Sequence, residues 1–135
     1  MYLLDTNIMI YAQKNRNLTL LKNLKSKNIE DLYISIFTVA EMIFGCKKST
    51  NPTKNYTALL EFLLPFNVLS FEQIDCNTYG ETRAHLELQG KPIGTIDTFI
   101  GSQAVSRNFT LVTNNWREFE RIPNIKMEDW TIEDR

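Results

Sequence analysis

The chain has a single histidine and two cysteines among its 135 residues. Cys46 and Cys76 stand far apart and form no CxxC pair, which removes the usual zinc-ligand spacings and any disulfide framework. Both are expected to be buried thiols in a reducing compartment. There is no GxxxxGK[ST] or GxGxxG segment, so neither a P-loop nor a dinucleotide fingerprint is present. No apolar stretch approaches the roughly 18 residues that span a bilayer. Met1 is followed at once by a short apolar run and Asp5, without the basic region and long apolar core of a secretory signal. The expectation is a cytoplasmic protein with no membrane association, in which the Asn-x-Thr sequences at Asn17, Asn55 and Asn108 carry no meaning for glycosylation. Repeats, low-complexity tracts and linkers are missing too. The length suits one domain, residues 1–135, whose core needs neither disulfides nor a structural metal.

What is present is ordinary in proportion, 43% apolar and 23% charged, as in folded globular chains. The net charge of −1 conceals an asymmetry. Residues 1–60 hold eight Lys/Arg against four Asp/Glu, and residues 61–135 hold seven against twelve. Lys14, Arg16, Lys22, Lys25 and Lys27 follow one another with no acid between them. Such a run is either a solvated helix face or a surface that meets nucleic-acid phosphates.

Apolar periodicity alternates between strand and helix along the chain. Residues 2–5 read as a short buried strand, Thr6 to Gln13 as a helix, and Leu18 to Leu24 as a second helix. "LYISIFT" (32–38) is β-branched and aromatic, as strands are. "VAEMIFG" follows as a helix with Gly45 at its end. A helix from Asn55 stops near Pro65, and 67–71 is a strand. Residues 73–90 are helical up to Gly90, "KPIG" turns, and "TIDTFIGSQAVSR" is a helix. The strand 109–113, a short helix in "NWREFERI" and an edge strand near 125–129 complete the chain. Strands alternating with helices predict an α/β fold with a mainly parallel sheet, and such sheets bind ligands beyond the carboxyl ends of their strands.

Polar residues at those strand ends are therefore the candidates. Asp5 ends the first strand, Glu41 lies early in the helix after the second, Asp97 opens the helix after "KPIG", and Asn114, Asn115 and Glu118 follow Thr113. Each carboxylate of the first three has a purely structural reading. Asp5 fits an N-cap, Thr38 to Glu41 fits a capping box, and Asp97 suits the positive end of a helix dipole. Yet all three sit among apolar neighbours, in "LLDTNIMI", "VAEMIF" and "GTIDTFI", with no Lys or Arg beside them. Poorly solvated carboxylates that cluster repel one another unless a cation joins them. Oxygen donors without Cys or His favour Mg²⁺ or Mn²⁺ over Zn²⁺, and His85, in mid-helix, is expected to be exposed rather than a ligand. A Mg²⁺ held in this way serves phosphodiester displacement. With the basic N-terminal half, the pattern points to metal-dependent nucleic-acid hydrolysis. Asn7 stands where aspartyl-phosphate chemistry needs a second Asp.

"LLDTN", "VAEMIFG", "GKPIGTIDTFIGSQAV" and "LVTNNWREFERI", in this order and near these spacings, resemble the PIN-domain family, and within it the VapC-type toxins of bacterial toxin–antitoxin pairs. The closing "IKMEDW" resembles the end of those toxins. The resemblance spans the whole chain. It implies a three-layer α/β/α sandwich, a homodimer, and an endoribonuclease dependent on Mg²⁺ or Mn²⁺ and inhibited by a cognate antitoxin in a hetero-oligomer. By motif, Asp5, Glu41 and Asp97 become the acidic metal-binding triad, with Thr6 and Asn7 in support. Many members of the family carry Asp where this chain has Asn114-Asn115, so the fourth position is either absent or taken by Glu118. The "TNN.REFER" pattern resembles toxins that cut initiator tRNA in the anticodon region. Arg83 and the Lys14–Lys27 run are candidates for phosphate contact, against an ordinary ion pair for Arg83. The competing class is a PIN-like module that binds RNA or protein without cutting.

Overall fold

In the computed structural model, which describes residues 1–133, the first strand is only three residues long, β1 Tyr2–Leu4. It is central nonetheless. β2 (Leu32–Ser35) pairs with one edge of it and β4 (Thr110–Val112) with the other. β3 (Asn67–Leu69) extends the sheet beyond β2, and β5 (Lys126–Glu128) extends it beyond β4. The five strands are all parallel, in the order β3-β2-β1-β4-β5. Strand order therefore reverses between β1 and β4, the place where an open parallel sheet offers a crevice at its carboxyl end.

The alternation of side chains along each strand feeds two cores. Leu4, Ile34 and Val112 pack on one face with Ile8 and Met9 of α1 (Thr6–Gln13), Leu20 of α2 (Leu18–Lys25), Met42 of α3 (Ile36–Lys47) and Leu59 of α4 (Pro52–Leu63). Leu3, Leu69 and Leu111 pack on the other with Leu86 of α5 (Gln73–Leu88), Ile100 and Ala104 of α6 (Thr95–Ser106) and Phe119 of α7 (Trp116–Phe119). The predicted α/β/α sandwich is thus the observed architecture. At Gly101 α6 packs closely on Ile122: an added Cβ would lie 2.3 Å from the Ile122 Cδ1 atom, so that side chain would have to shift.

Several local expectations are corrected. The strand predicted over 32–38 ends at Ser35, because the Ser35 hydroxyl accepts the Phe37 amide at 3.1 Å and caps α3 there. Thr38 consequently lies inside the helix, and the capping box from Thr38 to Glu41 does not form. The same helix runs through Gly45 to Lys47. α4 starts earlier than expected, with Pro52 in its first turn, where a missing N–H costs nothing. Gly90 does close the region after α5, with φ of +67°. Cys76 is exposed and Cys46 half-buried, so neither is the buried thiol expected. His85 is exposed, as predicted.

Candidate active site

Register decides what gathers at the carboxyl end of the sheet. Leu4 is level with Val112, and Val112 with Glu128. The next residues of these three strands are Asp5, Thr113 and Asp129, side by side across the switch point. Asp5 is 3% exposed. Its Oδ1 accepts the Ile8 amide at 2.9 Å, and its Oδ2 accepts the Thr113 hydroxyl at 2.5 Å. The N-cap reading of Asp5 is therefore correct, and it does not exhaust the residue, because the same carboxylate lines a cleft of about 930 Å³.

Glu41, Asp97, Thr6, Asn7 and Asn115 line that cleft as well. Glu41 is held by the Thr6 hydroxyl at 2.7 Å, and the Thr6 hydroxyl also lies 3.0 Å from that of Thr38. This is what Thr38 does in place of capping. Asp97 is half-buried in the first turn of α6. The Asn115 side-chain amide donates to Glu118 Oε2 at 3.4 Å. Thr113 joins the parts, since its hydroxyl also accepts the Asn115 amide at 2.9 Å.

Electrostatics tie the carboxylates into one group. Burial pushes Asp5 up to about 6, with the charges of Asp97 and Asp129 adding to the effect against the hydrogen bonds from Thr113 and Ile8. Burial likewise raises Asp97 to about 6, helped by the charges of Glu118 and Glu41. Among the described residues the ion pairs are Arg83 with Glu87 and Arg107 with Asp75, and neither involves this group. Lys14 and Lys48 line the same cleft, but among the described residues neither forms an ion pair with these acids.

Of the four acids expected from the sequence, Asp5, Glu41 and Asp97 line the cleft together, and Glu118 is tied to it through Asn115 and its charge on Asp97. Asp129, one residue past β5, was not expected near the site; its charge bears on Asp5, but it accepts from the Thr131 amide and hydroxyl and does not line the cleft. Of the basic run, Lys14 alone reaches the cleft, whereas Lys27 sits 5.3 Å from the Tyr2 and Trp130 ring centres. Lys48, outside that run, also lines the cleft. Arg83 does not line it and is committed to Glu87 at 3.0 Å and the Tyr79 hydroxyl at 2.9 Å. Asn114 is exposed, and Asn115 is the asparagine that faces the cleft.

The donor set is entirely oxygen. Among the described residues, no three His, Cys, Asp or Glu side chains form a ready-made cage for an ion. Oxygen donors of this kind are the chemistry that suits Mg²⁺ or Mn²⁺, which keep waters in their shell. It does not fit Zn²⁺, which takes Cys and His in closed sites.

The family profile of the PIN domain matches residues 2–125 of this chain. The chain is 38% identical over 129 residues to ribonuclease VapC2 of Haemophilus influenzae, covering 96% of this chain and 97% of that one. It is 36% identical over 130 residues to the tRNA(fMet)-specific endonuclease VapC of Shigella flexneri, covering 96% and 98%. In the crystal structure of DNA-bound VapBC from Salmonella typhimurium, one chain superposes with a TM-score of 0.90 at 37% identity, covering 96% of this chain and 97% of that one.

Proposed function

This chain belongs to the PIN-domain family, and on that premise we propose that it is the ribonuclease toxin of a toxin–antitoxin pair, a metal-dependent endoribonuclease acting on tRNA. The observation that carries the reading is the cleft lined by Asp5, Glu41 and Asp97, two of them raised to about 6, with none of the three in an ion pair among the described residues. Such a group is costly to bury and is relieved by a divalent cation. The names of the curated relatives support both the nuclease and the tRNA. Initiator tRNA, cut in the anticodon region, is the substrate proposed first.

Asp5 and Asp97 are the residues that would hold Mg²⁺ or Mn²⁺. Such an ion would neutralise charge at the phosphodiester and make a water beside it more acidic. Glu41, fixed by the Thr6 hydroxyl, orients the attacking water and accepts its proton. Glu118, steadied by Asn115, takes the fourth acidic position. Thr113 holds Asp5 in one rotamer, and Asn7 lies beside the site at the start of α1.

From the acids the cleft continues along α1 and α3, past Ile10, Met42 and Phe44, to Lys14 and Lys48. The cognate antitoxin is proposed to lie in this cleft with a basic side chain among the carboxylates, where it excludes both metal and RNA. The solved relatives are toxin–antitoxin complexes, which supports a partner of that kind. The working compartment is the cytoplasm, and the free toxin is a homodimer.

The test uses purified protein free of antitoxin, bulk tRNA, and Mg²⁺ or EDTA, resolved on a denaturing gel. Discrete fragments are expected with Mg²⁺ only. Asp5→Asn keeps an N-cap acceptor for the Ile8 amide and removes the charge, so it separates catalysis from capping. Asp5→Asn and Asp97→Asn are each expected to lower cleavage on the order of 10³-fold. Full activity in either variant, with metal still required, overturns the site.

A further inference from the structure

The chain has two tryptophans, and they are treated in opposite ways. Trp130 is 4% exposed, in edge contact with Tyr2 at 4.9 Å between ring centres. Trp116 is 41% exposed, yet its ring is not free to wander. The indole N–H donates to the Thr113 carbonyl oxygen at 3.0 Å. Thr113 is the residue whose hydroxyl holds Asp5. One residue thus sets the position of both the most buried carboxylate of the site and an aromatic face turned to solvent. Asn115, between them in sequence, lines the cleft. Arg117, on the other side of Trp116, is exposed and takes part in neither ion pair of the described residues.

We propose that Trp116 is the stacking platform for an RNA base next to the cleaved phosphate, and so a substrate-positioning residue. This rests on the nuclease reading above. An aromatic ring offers its face to any base, and its rigidity lowers the ordering cost of binding. The indole N–H is already used within the protein, so the ring recognises by stacking and not by an edge hydrogen bond. The amides of Asn114 and Asn115 are then the groups beside it that can reach base edges. Arg117 supplies a charge for the neighbouring phosphate. Trp116 does not itself line the cleft but adjoins it through Asn115, which does, so a base held on the ring brings the strand to that edge of the cleft.

The proposal separates affinity from chemistry. Trp116→Ala is expected to raise KM for tRNA about tenfold, the loss of one base–aromatic stack, with kcat within about threefold. Trp116→Phe should recover most of that loss. In the Asp97→Asn background, which prevents cleavage, tRNA should quench tryptophan emission. The quench should vanish in Trp116→Phe and persist in Trp130→Phe. Once the cut site is mapped, an oligonucleotide with an abasic residue beside it should bind wild type and Trp116→Ala alike, because the base and the ring lose the same contact. A folded Trp116→Ala with unchanged KM, or a quench that survives in Trp116→Phe, overturns the proposal and leaves the nuclease reading standing. A wild type that neither cuts nor binds tRNA overturns both.

Discussion

Two aspartates are buried at the starts of helices in this protein, and they have been given opposite surroundings. Asp75, fully buried in the first turn of α5, accepts from Arg107 through Nη2 at 2.8 Å and Nε at 3.1 Å, from the Ser106 hydroxyl, and from the Glu72 amide at 2.8 Å. Its charge is matched by a cation that the protein brings from the end of α6. Asp5, at 3% exposure, has two hydrogen-bond donors and, among the described residues, no ion-pair partner. Instead it faces Asp97 and Asp129, which push it further up. Capping accounts for both residues equally well. What sets them apart is compensation. The unpaired group is where the divalent ion proposed above would sit, and the paired one needs none.

The contrast breaks most strongly on the Asp75 side. Removing the guanidinium in Arg107→Ala leaves a buried charge alone. Stability should fall by about 3–5 kcal/mol in urea unfolding, while cleavage per folded molecule stays near wild type. A loss of activity in the folded fraction would mean that the latch between α5 and α6 also shapes the site.

On the Asp5 side the sign reverses. Asp5 folded titrates near 6, above its ordinary 3.8. The folded state therefore binds its proton more tightly than the unfolded state. The stability Asp5 contributes is full below about 3.8 and is lost as pH rises through about 6. In EDTA, the melting temperature should drop across that window. Mg²⁺ should offset the drop above pH 6 and lose its effect below. Asp5→Asn should remove its share of the drop, leaving that of Asp97, and stabilise the metal-free protein at pH 8 by on the order of 3 kcal/mol. A wild-type profile identical to that of Asp5→Asn would place the uncompensated charge elsewhere.

The smallest effect belongs to the residue that tunes Asp5. Thr113→Val removes the hydroxyl that favours the ionised carboxylate, with little change of volume. Asp5 should titrate still higher, and Mn²⁺ affinity by calorimetry should weaken by about 10–100-fold, as for lost contacts that orient a ligand. Unchanged affinity would mean that Asp5 does not touch the ion.

Much of this was legible in the residues. The helix over 6–13 coincides with α1, and the edge strand near 125–129 contains β5, because both carry their apolar pattern locally. The error at 36–38 has a physical cause. Ile36, Phe37 and Thr38 are good strand residues, and a two-atom contact, Ser35 Oγ to the Phe37 amide, turns them into a helix. Propensity cannot weigh that contact. The acids were legible as strand-end residues, while Asp129 was not, since nothing local distinguishes it from a surface acid.

By itself the sequence determined the alternation of strands and helices, the mainly parallel sheet that alternation implies, and the presence of carboxylates in apolar surroundings. These follow from periodicity and composition, which act over a few residues. Only the tertiary structure decided which carboxylates meet and which are neutralised. The register that levels Asp5 with Thr113 and Asp129, and the approach of Arg107 to Asp75, join residues far apart in the chain. Charge is felt through space, and the chain order that carries local pattern holds no measure of it.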